Sequence, residues 1–347
     1  MKKILILLLL LAGCAQTIQY SELHDSIQHL QVINGKLAYI TADNTNCTYP
    51  IGCTGDYRIY YDDKIYAQHN KSIIMLFELN NKPAYITDEN GRTLYANGKT
   101  VSYQGIMGIT STDSRTIYAA SKDYYCTRHT CTGSWFIVDN GKELNINCSW
   151  IPYNEIVKGE LAYACNNNEE LTIIHGNKTY GPYKAAYNIM NADGQLVWIN
   201  SSLEGDKIMI EGKEMPTPYT KINDLRYNGK FSYKGTTNQS QYLVYGEQTY
   251  GPYNSIRAYK ITAGKPAIAW TDENKHHITY EGTTTTYEAY TGFFDLNGTL
   301  AYNVKENGQN KLVYKDKKIN DASYPVLLDG KLVYIQKVGY KRRVEGI

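Results

Sequence analysis

Residues 228–261 read NGKFSYKGTTNQSQYLVYGEQTYGPYNSIRAYKI and contain one complete copy of a unit that recurs along the chain. The copy opens with the turn Asn228-Gly229-Lys230, which leads into a short apolar strand that ends at Tyr233. A second apolar run ends at a glycine turn, a third short element ends in Tyr250-Gly251-Pro252-Tyr253, and one more extended run follows. Alternation of apolar and polar residues, with turns about every 8–12 residues, is typical of β-strands. The unit therefore predicts four short strands.

The opening phrase of this unit, a Gly or Asn turn followed by a small apolar strand and an aromatic residue, recurs through the rest of the chain. The aromatic residues that close its nine copies are Tyr39, Tyr85, Tyr118, Tyr163, Trp198, Tyr233, Trp270, Tyr302 and Tyr334. They stand 46, 33, 45, 35, 35, 37, 32 and 32 residues apart. A near-constant period of this size is the signature of a repeat architecture.

Four-stranded units that repeat radially form a β-propeller, in which each blade covers the faces of its neighbours. The sequence therefore predicts an all-β fold, with a single propeller of about eight or nine four-stranded blades over residues 14–347. The last unit ends near Tyr340–Val344 without an outermost strand, and Thr17-Ile18-Gln19-Tyr20 is similar to that missing piece. We expect the N-terminal strand to complete the last blade and close the ring.

The Gly-Lys-x-Ala-Tyr strands and the Gly-Pro-Tyr corners resemble the repeats of WD40-like and TolB-type propellers. The resemblance covers nearly all of the chain after residue 13, and it implies the propeller fold. The Trp-Asp and Asp-Gly signatures of those families are missing or degenerate here, so the resemblance implies no particular activity.

The first residues predict export. Lys2 and Lys3 precede an apolar run, Ile4–Leu11, that is too short to cross a bilayer, which needs roughly 20 residues. Leu11-Ala12-Gly13-Cys14 resembles the lipobox of bacterial lipoproteins, which implies cleavage of a signal peptide, residues 1–13, and acylation of Cys14 with palmitate-type chains. Ala15 after the cysteine implies the outer membrane if the host is Gram-negative. The alternative is a plain signal peptide with an incidental cysteine.

Six cysteines follow Cys14, and an even number in an exported chain predicts disulfides. Partners that lie near in sequence close the shortest loops at the lowest entropic cost. We therefore expect the pairs Cys47–Cys53 and Cys126–Cys131, with Cys148–Cys165 as the remainder. Zinc is the alternative, but the chain contains no CxxC pair.

The net charge and the sequence motifs limit the classes of function and partner that we expect for this chain. Removal of residues 1–13 takes away Lys2 and Lys3, which leaves 34 basic and 34 acidic residues. Such a neutral chain gives no field for nucleic acid, and we expect no nucleic-acid partner. The short basic run Lys341-Arg342-Arg343 is expected to be a solvated strand or tail. No catalytic, cofactor-binding or metal-binding motif occurs, so we expect no catalytic residue, cofactor or metal.

Two insertions break the period, at Asn44–Asp56 and Ser121–Gly133, and each carries a short cysteine loop. Insertions on one face of a repeat protein often mark its binding surface. The second insertion contains Tyr124, Tyr125, Arg128 and His129, which we take as the candidate binding face. The alternative is a stapled surface loop with no role in binding.

These observations lead to one function and one alternative. We expect a lipid-anchored cell-envelope protein, monomeric, that acts as a binding or scaffold module for an envelope protein or glycan through one propeller face. The alternative is a propeller enzyme, a glycosidase or lyase, that acts on extracellular polysaccharide. Buried carboxylates with raised pKa values at the axial mouth would favour the enzyme.

Overall fold

The computed structural model describes residues 18–19, 21–48, 52–88, 91–112, 115–126, 131–146, 148–167, 170–273, 275–315 and 317–347. At residues 18, 48, 52, 126, 131 and 132 the backbone alone is described. The predicted signal peptide and Cys14 lie outside these ranges. Every regular element within them is a β-strand, and no helix there is long and apolar enough to cross a membrane.

The described strands form nine antiparallel four-stranded sheets, which are the blades of one propeller, and a two-stranded hairpin. Strand β1 (Ile18–Gln19) precedes blade 1, which contains β2 (Ser26–Ile33), β3 (Lys36–Thr48), β4 (Gly52–Tyr61) and β5 (Lys64–Lys71). Blade 2 contains β6 (Ile73–Leu79), β7 (Lys82–Thr87), β8 (Arg92–Ala96) and β9 (Lys99–Tyr103). Blade 3 contains β10 (Gly105–Ser111), β11 (Thr116–Ser121), β14 (Trp135–Asp139) and β15 (Lys142–Glu143), and the hairpin of β12 (Tyr125–Cys126) and β13 (Cys131–Thr132) lies between β11 and β14. Blade 4 contains β16 (Asn154–Val157), β17 (Glu160–Asn167), β18 (Glu170–His175) and β19 (Lys178–Tyr183). Blade 5 contains β20 (Ala185–Ala192), β21 (Gln195–Ser202), β22 (Gly205–Ile210) and β23 (Lys213–Met215). Blade 6 contains β24 (Lys221–Tyr227), β25 (Phe231–Thr237), β26 (Ser240–Tyr245) and β27 (Gln248–Tyr253). Blade 7 contains β28 (Ser255–Thr262), β29 (Lys265–Asp272), β30 (Lys275–Tyr280) and β31 (Thr283–Tyr287). Blade 8 contains β32 (Ala289–Leu296), β33 (Thr299–Glu306), β34 (Gln309–Tyr314) and β35 (Lys317–Asn320). Blade 9 contains β36 (Ala322–Leu328), β37 (Lys331–Val338) and β38 (Lys341–Gly346), and β1 completes it as its fourth strand.

Turn chemistry fixes the strand order within a blade. Asn34 and Gly35 join the first two strands of blade 1 with φ angles of 46° and 70°. Asn97 and Gly98 do the same between the last two strands of blade 2, with φ angles of 52° and 73°. Two successive residues with positive φ make the tight turn that suits the twist of a two-residue hairpin, and Asn-Gly is its preferred sequence. The repeated Asn-Gly-Lys phrase is therefore the signal that folds each blade back on itself.

The core lies between blades, in layers to which two neighbouring blades contribute. The layer between blades 1 and 2 contains Ile33, Ile40, Ile59, Ile73, Leu76 and Tyr85. The layer between blades 4 and 5 contains Val157, Ala164, Ile173, Leu196 and Trp198. A blade thus buries both faces only when a neighbour stands on each side, which is why the units occur as a closed array.

Tyrosine serves this architecture because its ring fills the layer while its hydroxyl satisfies the backbone of a neighbouring blade. Tyr259 on the innermost strand of blade 7 donates its hydroxyl to the carbonyl of Ser232 in blade 6, at 3.0 Å. Burial raises the pKa of Tyr259 to about 12. In the same way, burial raises the pKa of Tyr233, one of the repeat aromatics, to about 12.

The ring is closed by the N-terminal strand. Ile18 and Gln19 pair antiparallel with Gly346 and Glu345 and so supply the outermost strand of blade 9. Blades 9 and 1 then share an apolar layer that contains Ile27, Leu30, Tyr39, Val333, Ile335 and Val344. The predicted fold class and closure are confirmed, and the number of blades is nine.

Hydrogen bonds of His24 also connect blades 9 and 1. His24 pairs with Arg342 of blade 9 through its backbone, and its ring lies 2.9 Å from the carboxylate of Asp43 in blade 1. Burial alone raises the pKa of Asp43, but the backbone N–H of Asp25 and the His24 ring more than offset this, so that pKa is lowered. The five residues 21–25 therefore tie the last blade to the first.

Strand direction gives the propeller two different faces. The turns between first and second strands, and between third and fourth strands, lie on one face, which we name the turn face. The connections between second and third strands, and the links from one blade to the next, lie on the opposite face. We name this the insertion face, because both period-breaking insertions are of this kind.

Candidate functional site

The first insertion lengthens one hairpin of blade 1 beyond the ring. Strands β3 and β4 stay paired as far as Thr48 and Gly52, and in the preceding pair Cys47 and Cys53 face each other with Cα atoms 4.0 Å apart. Their side chains form the predicted disulfide. The insertion is thus a β-ribbon whose two strands a disulfide joins at Cys47 and Cys53.

The second insertion is a separate small hairpin, β12–β13, between the second and third strands of blade 3. Cys126 and Cys131 face each other in its ladder, while their sulfur atoms lie outside what is described, and the Cys126–Cys131 bond stays a prediction. Of the four candidate binding residues, Arg128 and His129 also lie outside the described ranges. The structure therefore places Tyr124 and Tyr125.

These two tyrosines have different roles. Tyr124 packs edge-on against Trp135, with ring centroids 5.1 Å apart, and also contacts Trp150. It belongs to the base on which the hairpin stands. Tyr125 is 67% exposed, and it is therefore the member of the pair that is free to contact a partner.

A carboxylate clamps the base of the hairpin. Asp123 accepts the backbone N–H of Ser134 at 2.7 Å and the hydroxyl of Ser121 at 2.9 Å. These hydrogen bonds, the one from Ser134 first, lower the pKa of Asp123. Since both ends of the insertion are held by one ionised side chain, the hairpin leaves the blade at a fixed position.

The predicted disulfide Cys148–Cys165 is also formed, and it too lies on the insertion face. It joins the link between blades 3 and 4 to the second strand of blade 4. Trp150, two residues later, stacks edge-on against Trp135 at 4.8 Å. The aromatic base of the hairpin and this disulfide thus form one continuous apolar cluster.

Large apolar side chains also project from the insertion face at positions that the sequence interpretation missed. Leu203 and Tyr340, in the turns between second and third strands of blades 5 and 9, are fully exposed. Leu23 and Val338 are 42% and 39% exposed on the same face. The sequence does contain a signal for such a position, namely an apolar residue at the tip of an otherwise polar turn. Leu203 in Ser201-Ser202-Leu203-Glu204-Gly205 is an example.

The innermost strands of the blades carry a second group of residues, which are candidates for catalysis because burial shifts their pKa values. Burial lowers the pKa of His29, which lies at a bulge of β2, and raises the pKa of Glu155 on β16. Glycoside cleavage requires two carboxylates that flank the bond. In the described part of the chain, Glu155 is the one carboxylate whose pKa is raised, and no group of three metal-type ligands occurs there.

A cleft of about 350 Å³ opens on the insertion face between blades 8 and 9. Its walls combine polar, charged and aromatic side chains, among them Phe294, Asn310, Asp321, Tyr324, Lys337 and Arg342. The two insertions, the exposed Leu203 and Tyr340 and this cleft therefore lie on the same face of a nine-bladed propeller module.

No protein-family model matches this sequence, and no curated protein is significantly similar to it. Among solved structures, the β-propeller domain of the trilobed protease from Pyrococcus furiosus is similar at a TM-score of 0.44 and 11% identity, over 86% of this chain and 95% of that one. Apo AztD from Citrobacter koseri is similar at a TM-score of 0.41 and 10% identity, over 88% of this chain and 90% of that one.

The acylaminoacyl peptidase of Pyrococcus horikoshii is similar at a TM-score of 0.44 and 9% identity, over 85% of this chain. This chain spans 57% of that peptidase's length. At such scores and identities, the similarity carries nothing about activity.

Proposed function

We propose that this protein is a lipid-anchored cell-envelope module that binds an envelope protein or glycan through its insertion face. The observation that carries the proposal is the asymmetry between the two faces. The two insertions, the disulfides Cys47–Cys53 and Cys148–Cys165, and the exposed side chains of Tyr125, Leu203 and Tyr340 all lie on the insertion face. The turn face consists mainly of tight turns with Asn, Gly and Lys.

The exposed side chains suit a docking surface. Burial of a large apolar side chain is worth about 1.5–3 kcal/mol, and aromatic residues are enriched at the centres of protein interfaces. Side chains on braced hairpins and short turns lose little conformational freedom when a partner arrives. A partner that covered Tyr125, Leu203 or Tyr340 would therefore gain apolar contact at a small ordering cost.

The proposed anchor fits this orientation. Strand β38 runs from the insertion face to the turn face, and β1 runs antiparallel to it, so Ile18 begins at the turn face opposite Gly346. Three residues separate Ile18 from Cys14, and four residue steps span at most about 14 Å. Acylation of Cys14 would hold the turn face near the bilayer and leave the insertion face directed away from it.

Affinity capture from an envelope extract tests the proposal, with the purified full-length chain in detergent as bait. The bait is used in three forms: the parent, a Leu203→Ser/Tyr340→Ser variant, and an Ile65→Ser variant. Ile65 is 55% exposed on the outer strand of blade 1, so its loss is a matched apolar change away from the insertion face. We expect the parent and Ile65→Ser to retain the same partner and the insertion-face variant to lose it. Equal retention by all three forms would contradict the insertion face as the docking surface.

A further inference from the structure

The cleft between blades 8 and 9 contains two cations that form no ion pair with a described residue. Lys337 and Arg342 stand directly opposite each other in the register of β37 and β38, so their side chains lie on the same face of blade 9. Like charges directly opposite destabilise a strand pair. Arg342 donates to the hydroxyl of Ser26 at 3.3 Å, and no described carboxylate lies within ion-pair distance of either cation. An anion in the cleft would relieve this repulsion.

An aromatic ring is held beside these cations at a conformational cost. Tyr324 lies at the bulge of β36 with a φ angle of 50°, and its side chain is 57% exposed. The left-handed region is unusual for a bulky residue. The residues with positive φ at the corresponding bulges of other blades are His29, Gly108, Asn188 and Asp224. Tyr324 is the one tyrosine of this described set, and it stands at the cleft.

The remaining walls offer groups that pair with hydroxyls. Asn310 and Asp321 line the cleft, and the backbone N–H of Asp321 donates to the Asn310 carbonyl at 2.7 Å, which fixes the two residues relative to each other. Asp321 forms no ion pair with another described residue, so its carboxylate is available as an acceptor. The volume of about 350 Å³ is at the lower end for small-molecule sites.

We propose that this cleft binds an acidic sugar unit of a glycan. The sugar carboxylate would lie between Lys337 and Arg342, its ring face would lie against Tyr324, and its hydroxyls would bond Asp321 and Asn310. An apolar ring face, several hydroxyls and one negative charge are the properties that a uronic acid combines. This inference rests on the proposed function and narrows its partner from a protein or glycan to an acidic glycan.

Calorimetric titration of the full chain in detergent tests the proposal, with digalacturonate as the probe and neutral galactobiose as its uncharged counterpart. We expect digalacturonate to bind at least tenfold more tightly than galactobiose and to bind more weakly as salt is added. A Lys337→Met/Arg342→Gln variant should bind digalacturonate at least tenfold more weakly. Lys331→Met, on the turn face of the same blade, should bind it like the parent. Equal affinity for the two sugars, or displacement by an equal concentration of acetate, would overturn the proposal.

Tyr324→Asn separates a binding role from a structural one, because Asn adopts the left-handed region more readily than Tyr. We expect at least fivefold weaker binding of digalacturonate with a melting temperature equal to or above that of the parent. A lower melting temperature with unchanged binding would show that the ring serves packing alone. If digalacturonate fails to bind while the capture experiment still shows a partner lost from Leu203→Ser/Tyr340→Ser, this inference is wrong and the proposed function stands.

Discussion

At the scale of single residues, buried polar groups join one blade to the next. Asp206 of blade 5 is 5% exposed and accepts hydrogen bonds from the Ser201 hydroxyl at 2.6 Å and from the backbone N–H of Ile222 in blade 6 at 2.9 Å. The hydroxyl of Tyr187 lies 2.7 Å from the same carboxylate. One side chain therefore satisfies donors from three strands.

Asp206→Ala should be strongly destabilising, because it leaves these donors buried without an acceptor. We expect a loss of about 3 kcal/mol in the free energy of unfolding, measured by urea denaturation. Glu204→Ala is the matched control, since the side chain of Glu204 is 84% exposed, and it should cost less than about 0.5 kcal/mol. Similar unfolding midpoints for the two variants would show that Asp206 does not join the blades.

The proposed anchor also depends on one residue. Cys14→Ala should abolish incorporation of a clickable fatty acid in metabolic labelling, because the cysteine thiol is the group that accepts diacylglycerol. Cys47→Ser/Cys53→Ser, which removes thiols elsewhere, should label like the parent. Label that persists in Cys14→Ala would rule out the lipobox interpretation.

At the scale of elements, the hairpin β12–β13 is the insertion whose function is easiest to separate from the fold. The ring does not run through it, because β11 pairs directly with β14 beneath it. Its loop is short, so loss of a Cys126–Cys131 bond should cost only about 2 kcal/mol. The hairpin would then lose its fixed shape while blade 3 keeps its four strands.

Cys126→Ser/Cys131→Ser should therefore weaken partner binding by far more than it lowers stability. Tyr125 and the neighbouring residues would sample more conformations, and each would have to be ordered again on binding. Binding and melting temperature are measured side by side, after mass spectrometry has established the Cys126–Cys131 bond in the parent. A folded double mutant that binds as the parent does would show that this hairpin plays no part in recognition.

The closing strand is a second separable element. Deletion of residues 15–22, with Cys14 kept, removes the Ile18–Gln19 pairing with blade 9 and the Ser21 hydroxyl that accepts the N–H of Val344 at 2.8 Å. The exposed edge of β38 should lower the melting temperature by about 5 °C. Replacement of residues 15–17 by serine, which spares the strand, should leave it unchanged. Identical melting curves for the two variants would mean that the ring closes in another way.

At the scale of the whole molecule, the proposed anchor and the two faces predict an orientation on the membrane. Lys331 lies on the turn face of blade 9, and Tyr340 lies on the insertion face of the same blade. A strand of eight residues such as β37 separates such positions by about 25 Å. The two sites therefore report on opposite faces of one blade.

A fluorophore at Lys331→Cys should be quenched strongly by nitroxide lipids when the lipidated protein is reconstituted in vesicles. The same fluorophore at Tyr340→Cys should be quenched weakly, because the propeller stands between it and the bilayer. Both labelled proteins without the lipid anchor serve as controls and should show little quenching. Equal quenching at the two sites of the anchored protein would contradict the proposed orientation.

The sequence by itself determined the fold, because the information that specifies a propeller is local. Asn-Gly turns such as Asn34-Gly35, strand alternation and a period near 35 residues each act within one unit, and the hairpins then fix the strand order. Even the closure by Ile18–Gln19 was visible, since that segment resembles the outermost strand of other units. The disulfide Cys47–Cys53 followed from proximity along the chain, and Cys148–Cys165 followed as the remaining pair.

Only the tertiary structure decided the number of blades and the composition of the candidate surface. The number is nine because the first and last units form a common apolar layer, which no pattern within a unit encodes. The roles of Tyr124 and Tyr125 diverge because Trp150, which packs against Tyr124, comes from the link to the next blade. Lys337 and Arg342 face each other through strand register, and Tyr324 reaches their cleft through a bulge. Such juxtapositions depend on packing between units, and a sequence pattern confined to one unit cannot record them.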